Sequence, residues 1–336
     1  MAAELPTSMK AVQVTKTGDI DVIELQDIPV PQPGPSQVLF KAEYGGVNYI
    51  DTYHRSGLYK LALPFILGTE AAGTVVALGS EVQASGSLKV GDRVISIGPG
   101  AFAEYGVVER KFIAKIQDGV DSRTAAAAAL QGLTALTLMR EAYHIKKGDT
   151  VLIHAAAGGV GLLMVQLAVH FGATDIATTS TQAKADLVRA HGAQHTLLYG
   201  KDDYASIPSE VLKLTDGKGV QAIFDSIGKA TFDGDFEAIA KRGTIVSFGN
   251  ASGPVGEFSL LKLVAKNVKI VRPQLYNYLE DAEEHEAYSK ELFDLIASGA
   301  VKINIHAGYP FTTDGVRQTQ QDITSRGTSG KLVIKI

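Results

Sequence analysis

The chain has 336 residues, of which 45% are hydrophobic and 20% charged, and its net charge is -4. These values are typical of a globular protein of about two domains, and the weak negative charge gives no electrostatic reason to expect binding to nucleic acid or an anionic membrane. Cysteine is absent, which excludes disulfides, thiolate metal sites and a cysteine nucleophile. Because the first residues do not resemble a secretory signal and no apolar run reaches the roughly 18 to 20 residues that span a bilayer, we expect a cytoplasmic protein without membrane contact.

The first part of the chain, up to about residue 120, is predicted to form a β-rich domain. Short alternating apolar segments, separated by glycine and proline, predict strands at 10–15, 37–44, 73–78 and 92–97. The prolines between residues 29 and 35 predict an extended connector, because proline fixes φ and cannot donate to a sheet. This pattern is typical of a compact barrel-like or sandwich-like domain.

The character of the sequence changes near Asp121. An Ala- and Leu-rich run over 124–139 predicts a helix, with Asp121 or Ser122 as its N-cap. Further helices are predicted at 160–171, 182–190 and 283–299, and strands at 149–155, 175–179, 195–199, 222–226, 243–248, 268–271 and 331–336. Regular alternation of strands and helices implies a parallel sheet with helices on both faces, and so an α/β protein.

A glycine-rich segment follows the first strand of this alternation. Residues 154–161, His-Ala-Ala-Ala-Gly-Gly-Val-Gly, lie between a predicted strand and a predicted helix, which is the context of a dinucleotide-binding loop. Glycines let the backbone approach a pyrophosphate, and a helix N-terminus offers unpaired N–H groups. A plain strand–helix turn is the alternative, and His154 is predicted to be packed rather than catalytic. The residues predicted to contact the cofactor here are Ala155, Gly158, Gly159, Val160 and Gly161.

The end of the second strand of the alternation predicts which nicotinamide cofactor is used. Enzymes specific for NAD place Asp or Glu there to bind the ribose 2′-hydroxyl. This chain has Ser180 at that point, and Lys184 follows one helical turn later. A hydroxyl and an ammonium favour a 2′-phosphate, to which Tyr199 could add a hydrogen bond. We therefore predict NADPH, the alternative being that Lys184 is only a solvated helix residue.

Short motifs occur at separated positions along nearly the whole chain. They lie at 46–51 (Gly-Val-Asn-Tyr-Ile-Asp), 64–73 (Pro-x-x-x-Gly-Thr-Glu-x-x-Gly), 90–94 (Val-Gly-Asp-Arg-Val), 132–135 (Gly-Leu-Thr-Ala), 155–161, 224–226 (Phe-Asp-Ser), 247–250 (Ser-Phe-Gly-Asn), 271–273 (Val-Arg-Pro) and 325–326 (Ser-Arg). Together they make the chain resemble the zeta-crystallin-like quinone oxidoreductases of the medium-chain dehydrogenase/reductase superfamily. The resemblance implies a GroES-like catalytic domain from 1–127 together with 272–336, and an inserted, doubly wound Rossmann domain at 128–271. It also implies a homodimer formed through Rossmann edge strands, for which 268–271 is the matching segment.

The chain departs from the zinc-containing relatives of that superfamily. Those enzymes carry Cys where this chain has Asn48, and Gly-His-Glu where it has Gly68, Thr69 and Glu70. Their second, structural zinc needs several cysteines, and this chain has none. We therefore expect no metal site, and an alcohol dehydrogenase would lack its Lewis acid. Glu70 matches a family motif, but its role could be purely structural.

The resemblance also assigns the remaining site residues. Asn48, Tyr53 and Tyr59 are expected to line the substrate cleft on one loop region, with the amide and the hydroxyls as donors to a quinone oxygen and the rings as an aromatic wall. Asn48 capping a turn, and either tyrosine acting only in packing, are the alternatives. Gln131 and Thr134 are expected to open the helix between the domains and to face the same cleft. The other residues expected near the cofactor are Phe248, Gly249, Asn250 and Arg326.

The leading functional prediction is NADPH-dependent reduction of a quinone in the interdomain cleft, without metal or flavin. Reduction of an α,β-unsaturated carbonyl, a 2-alkenal or an enone, would use the same cofactor site and is the enzymatic alternative. A non-catalytic alternative is a crystallin-like or AU-rich RNA-binding role, as in relatives of zeta-crystallin. No run of Arg and Lys with interleaved aromatic residues, typical of RNA-binding modules, supports that role.

Overall fold

A computed structural model of the protein describes residues 5–200 and 203–336. This part of the chain forms two compact units. The first contains the chain up to Leu133 together with Leu279–Ala297 and Ile303–Ile336, and the second contains Thr134–Tyr278 and Ser298–Lys302. The chain therefore begins in one unit, passes through the other and returns.

The strands and helices follow one another in an order close to the predicted one. The strands are β1 (Ser8–Val14), β2 (Leu25–Pro29), β3 (Gln37–Val47), β4 (Phe65–Ile66), β5 (Ala71–Leu78), β6 (Arg93–Ser96), β7 (Tyr105–Glu109), β8 (Ile113–Lys115), β9 (Thr150–Ile153), β10 (Thr174–Thr179), β11 (His195–Leu198), β12 (Val220–Asp225), β13 (Ile239–Ser247), β14 (Lys269–Val271), β15 (Ile305–Pro310) and β16 (Lys331–Lys335). The α-helices are α1 (Tyr49–Ser56), α2 (Ser80–Ser85), α3 (Ser122–Thr137), α4 (Gly159–Phe171), α5 (Gln182–Ala190), α6 (Ile207–Leu214), α7 (Phe232–Ala238), α8 (Ala282–Ala297) and α9 (Thr313–Thr324). Short 3-10 turns occupy Ile20–Val22, Arg110–Phe112, Leu260–Lys266 and Leu275–Asn277, and a π-helical turn, Leu138–Ala142, follows α3.

The first unit is built on two sheets whose strands pair antiparallel, except for the parallel pair β15–β16. A seven-stranded sheet has the order β15-β16-β3-β5-β6-β8, with β7 paired to β3, and a three-stranded sheet has the order β2-β1-β4. Alternating residues of β3 place Val38 and Phe40 in one core cluster with Phe102, and all three are buried. This confirms the predicted β-rich domain. The C-terminal strand β16 pairs with β3, so the end of the chain completes the sheet that its beginning forms.

The second unit contains a six-stranded parallel sheet of order β11-β10-β9-β12-β13-β14. After Thr150, the central strand β9 is a continuous buried apolar segment, as expected for a parallel strand covered on both faces. From β9 the chain builds the sheet first towards β11 and then, from β12, towards β14. The reversal between β9 and β12 creates the crevice where open α/β sheets bind ligands. This confirms the predicted fold class.

Some details of the structure differ from the sequence-based expectations. Helices α1, α2, α6, α7 and α9 were not predicted; all of these except α9 are too short for a clear helical period. Tyr53, expected on a loop, lies within α1. Gln131 and Thr134 lie in the second half of α3 and do not open it. Since α3 runs continuously from one unit into the other, the division at Leu133 falls a few residues after the predicted domain boundary.

Within residues 5–200 and 203–336, no helix combines the length and the apolar character needed to cross a bilayer.

Candidate active site

Asn48 stands at the start of α1, where β3 ends. It is the N-cap residue, and its backbone N–H donates to the Asp51 carboxylate at 2.8 Å. The second oxygen of Asp51 accepts a hydrogen bond from the Thr69 hydroxyl at 3.1 Å. Asn48 therefore has a capping role, as one of the alternatives expected, but it caps a helix instead of a turn and does so through its backbone N–H. The cap fixes the direction in which α1 leaves the sheet.

The side chain of Asn48 belongs to a buried polar cluster with Glu70 and Lys331. Its amide nitrogen donates to a Glu70 oxygen at 2.8 Å and to the Gly46 carbonyl at 3.3 Å. Its amide oxygen accepts from the Lys331 ammonium at 2.8 Å, and Lys331 also bonds directly to Glu70. The other Glu70 oxygen accepts from the backbone N–H of Leu130. Both amide hydrogens of Asn48 are thus engaged inside the first unit, and a quinone oxygen would have to displace an acceptor to receive one.

Burial shifts the pKa values of the ionisable side chains in and beside this cluster. It raises the pKa of Asp51 to about 7, although the backbone hydrogen bond from Asn48 and the charge of Lys331 oppose the rise. Burial also lowers the pKa of Lys331, while the adjacent Glu70 carboxylate favours the ammonium form. A Cβ at residue 46 would collide with the Glu70 carboxylate. Glycine at 46 is therefore required for the cluster to form.

The two predicted tyrosines lie beside this cluster in an aromatic row. The Tyr53 ring lies 5.5 Å from the Tyr49 ring and 5.1 Å from the Tyr59 ring, measured between centroids. Tyr59 follows α1, and its side chain is exposed. Arg326 has a left-handed φ of 64°, and its charge lowers the pKa of Tyr49, against the larger raising effect of burial. The structure therefore brings Asn48, Tyr53, Tyr59 and Arg326 to the surroundings of α1.

The glycine-rich loop connects β9 to α4 in the second unit. Strand β9 ends two residues earlier than predicted because Ala155 adopts a left-handed φ of 49°, which is incompatible with a strand. The Ala155 carbonyl accepts from the Gly158 N–H at 2.9 Å, and a Cβ at residue 161 would lie 2.7 Å from that carbonyl. The first helical hydrogen bond is donated by Leu162, so the amides of 159–161 form the open N-terminal turn of α4. That turn can hold a phosphate.

His154, which precedes the loop, is packed as predicted. It is buried, with Nε2 at 2.9 Å from an Asp235 oxygen and Nδ1 at 3.2 Å from the Thr178 hydroxyl. The same hydroxyl oxygen accepts from the Ala155 N–H at 3.2 Å. His154 and Thr178 therefore help to hold the loop in its left-handed conformation.

The residues predicted to bind the 2′-phosphate lie at the ends of neighbouring strands. Thr179, the last residue of β10, pairs with Leu198, the last residue of β11. Ser180 and Tyr199 directly follow them, which places both at the carboxyl edge of the sheet. Lys184 lies in the first turn of α5, and its N–H donates to the N-cap residue Thr181 at 3.3 Å. The residues that directly follow β10, Ser180 and Thr181, carry hydroxyls and no carboxylate.

The predicted nicotinamide-side residues follow β13 at the same edge of the sheet. The N–H groups of Phe248 and Gly249 both donate to the Asp225 carbonyl at the end of β12, at 2.8 and 3.3 Å. A Cβ at residue 249 would collide with the Ser226 carbonyl. The Gly249 carbonyl accepts from the Arg272 guanidinium at 3.0 Å. Phe248, Gly249 and Asn250 therefore form a tight turn beside the crevice between β9 and β12.

Sequence reasoning assigned no role to three residues that the structure brings to Asn48 and Glu70. Asp51 and Thr69 lie in the motifs at 46–51 and 64–73, and the three-residue spacing of Asn48 and Asp51 is that of a capping box. Lys331 carries no local signal, since it meets Asn48 across 283 positions of sequence and reaches it only because β16 pairs with β3.

One unit of the chain is β-rich, and the other has a parallel sheet with a glycine-rich loop at the point where the strand order reverses. This combination is typical of the medium-chain dehydrogenase/reductase class. Comparisons with known proteins agree. Residues 34–118 match the alcohol dehydrogenase GroES-like domain family, and residues 159–298 match the zinc-binding dehydrogenase family.

Individual relatives define the branch. The probable quinone oxidoreductase of Schizosaccharomyces pombe is 42% identical over 324 residues, which are 96% of each chain. A mycobacterial protein solved in complex with NADPH superposes with a TM-score of 0.93 at 43% identity, covering 98% of this chain and 100% of its own. A 2-haloacrylate reductase of a Burkholderia species is 35% identical over 89% of this chain and 91% of its own. The chain belongs to the zeta-crystallin-like quinone oxidoreductase family of the medium-chain superfamily.

Zinc does not fit the residues found in this chain. The positions of two zinc ligands in the metal-containing relatives hold Asn48 and Thr69, and Asn48 already binds the Lys331 ammonium. Among the residues that the structure describes, no group of three or more His, Asp or Glu side chains could hold a metal ion.

Proposed function

We propose that this protein is an NADPH-dependent quinone reductase that works without flavin or metal. The observation that carries the proposal is the carboxyl edge of the parallel sheet, where a phosphate-binding helix N-terminus, Ser180 and Lys184 occur together and no acid follows β10. An ammonium and a hydroxyl favour a 2′-phosphate, which a carboxylate would repel. The relatives that are named quinone oxidoreductase, and the relative solved with NADPH, support the same assignment.

The chemistry supplied by bound NADPH is transfer of a hydride, two electrons and a proton, to the quinone. One proton from solvent completes the hydroquinone. The chain has to hold the quinone and stabilise the charge that develops on its oxygen. We assign the wall of the quinone site to the Tyr53 and Tyr59 rings and the donors to their hydroxyls. Asn48 contributes through the polar cluster, which fixes the start of α1 and thereby the position of Tyr53.

Reduction of an α,β-unsaturated carbonyl is the second candidate, and the similarity to a 2-haloacrylate reductase favours it. The same hydride would add to the β-carbon, and a proton would then be needed at the α-carbon. Steady-state assays with 1,2-naphthoquinone, benzoquinone and a 2-alkenal separate the two functions. The proposal requires a higher kcat/KM for the quinones. A preference for the 2-alkenal would assign the chain to the second function.

Substitution of the residues near α1 tests their roles. In Asn48→Ala and Tyr53→Phe, kcat/KM for the quinone should fall on the order of tenfold, less than the 100- to 1000-fold loss of an oxyanion donor for a demanding substrate, because a quinone accepts hydride readily. The NADPH dissociation constant, measured in parallel, should stay unchanged. Unaltered kinetics in both variants would remove these residues from the site. A complete loss of turnover with NADPH bound would identify an essential proton donor and favour the second function.

We also propose that the protein forms a homodimer through β14. This strand is at the edge of the parallel sheet, where one row of backbone N–H and carbonyl groups lacks a strand partner in the described chain. The preceding turn exposes three apolar side chains, with Leu260, Leu261 and Val264 at 71, 78 and 66% exposure. An exposed edge beside an apolar patch is a surface suited to pairing with a second copy.

The dimer proposal predicts that Leu261→Glu shifts the protein to a monomer, because a charge would have to be buried in the apolar contact. Light scattering after size exclusion at micromolar concentration measures the change. Val90→Glu, at a residue 59% exposed in the first unit, is the control and should keep the mass of the wild type. A wild-type monomer, or a dimer that survives Leu261→Glu unchanged, would contradict the proposed interface.

A further inference from the structure

The left-handed conformation of Ala155 is supported by one side chain outside the glycine-rich loop. Residues other than glycine rarely adopt a φ of 49°, so the surrounding structure has to hold Ala155 in place. The Ala155 N–H donates to the Thr178 hydroxyl at 3.2 Å, and the following amide, of Ala156, donates to the Thr178 carbonyl at 2.9 Å. Thr178 therefore holds the start of the loop through both its side chain and its backbone.

The Thr178 hydroxyl is itself held by a buried pair of side chains. Thr178 is fully buried on β10, and His154 Nδ1 lies 3.2 Å from its hydroxyl oxygen. The other ring nitrogen of His154, Nε2, lies 2.9 Å from a carboxylate oxygen of Asp235 on α7. Because His154 and Asp235 are also buried, water does not compete for these contacts. The hydroxyl thus has a fixed position relative to β10 and α7.

A change at Ala155 would be transmitted to the helix N-terminus that can hold a phosphate. The Ala155 carbonyl accepts from the Gly158 N–H at 2.9 Å. A Cβ at residue 161 would lie 2.7 Å from both the Ala155 carbonyl oxygen and Ala156 Cα, so the loop packs tightly against the first turn of α4. A displaced Ala155 would therefore displace the open amides of that turn. The pyrophosphate that such a turn is suited to bind is common to NADPH and NADH.

We propose that Thr178 is a positioning residue for the cofactor. Its hydroxyl holds Ala155 and, through Ala155, the amides that bind the pyrophosphate. The inference rests on the proposed cofactor site and adds a fully buried residue that acts through the loop and not by contact with the cofactor. Its effect differs from that of Lys184, which depends on the 2′-phosphate. Loss of the hydroxyl should weaken the binding of NADPH and NADH by the same factor.

Substitutions on β10 separate the hydroxyl from packing. Thr178→Val keeps the size and branching of the side chain but removes the hydroxyl, and the dissociation constants of NADPH and NADH should both rise about tenfold. The fluorescence of the bound cofactor measures them. Thr178→Ser restores the hydroxyl and should keep the wild-type constants, although loss of a buried methyl group lowers the free energy of unfolding. A role in packing alone would make the affinity follow the stability in both variants.

The neighbouring threonine is the matched control. Thr179 is also buried on β10, but its hydroxyl has no hydrogen-bond partner among the described residues. Thr179→Val should therefore leave both dissociation constants unchanged.

Hydrogen exchange of the Ala155 amide, followed by NMR in the cofactor-free protein, tests the contact itself. Exchange should be faster in Thr178→Val than in the wild type and Thr178→Ser, because the amide loses its acceptor. Thr178→Ala has the same expected exchange and affinity, and it takes the place of Thr178→Val if that variant does not fold.

The outcomes separate this inference from the proposed function. A wild type that binds NADPH, together with a Thr178→Val variant of equal affinity, would overturn the inference and leave the function standing. A rise in the NADPH constant alone, or a loss of affinity in Thr178→Ser as large as in Thr178→Val, would also contradict it. A wild type that binds neither cofactor would overturn both.

Discussion

Replacement of Lys331 by methionine is expected to lower the free energy of unfolding by about 3–5 kcal/mol. The side chain is 1% exposed and pairs with Glu70, whose side chain is fully buried. Methionine leaves the Glu70 carboxylate in the interior without its cation, and the amide oxygen of Asn48 loses its donor as well. Leaving a charge uncompensated in a low-dielectric interior is far more unfavourable than losing an exposed ion pair.

Denaturant unfolding followed by circular dichroism measures the effect. The control is Lys10→Met, which breaks an ion pair whose partners are 47 and 65% exposed and should change stability by less than about 1 kcal/mol. Adding Glu70→Gln to Lys331→Met should restore part of the loss, because a neutral amide needs no cation. Equal stabilities of Lys331→Met and Lys10→Met would show that the buried pair makes no special contribution.

Lys184→Ala is expected to raise the Michaelis constant for NADPH about 10- to 100-fold and to leave that for NADH nearly unchanged. The proposed contact is a charge-assisted hydrogen bond to the 2′-phosphate, for which about 1.5–3 kcal/mol is typical. NADH has a hydroxyl at that position and cannot lose this contact. Steady-state kinetics with both cofactors and one quinone measures the ratio.

A second lysine of the same unit controls for the general loss of positive charge. Lys213→Ala removes an ammonium from α6, where the side chain is 69% exposed. Both cofactors should keep their wild-type constants in this variant. If Lys184→Ala raised the Michaelis constants for NADPH and NADH to the same extent, the lysine would not contact the 2′-phosphate.

The periodic elements of the fold were predictable because their signal is local. Strand β10 ends at Thr179 and helix α5 covers Gln182–Ala190, as the sequence indicates, since apolar spacing and a glycine near the helix end act over a few residues. Helix α1 was not predicted because its eight residues include only a few apolar side chains. Its start depends on the capping contacts of Asn48 and Asp51, and polar residues of these types are equally common in loops.

The sequence by itself determined the fold class, the place of the glycine-rich loop between a strand and a helix, the family and the absence of thiolate ligands. Each of these depends on residue identity or on short-range spacing. Only the tertiary structure decided which side chains Asn48 contacts at the position where the metal-containing relatives have a zinc ligand. Lys331 lies on the last strand, β16, and forms hydrogen bonds with Asn48 and Glu70. The physical reason is that hydrogen bonds and burial depend on positions in space. A contact between residues hundreds of positions apart leaves no pattern in the local sequence.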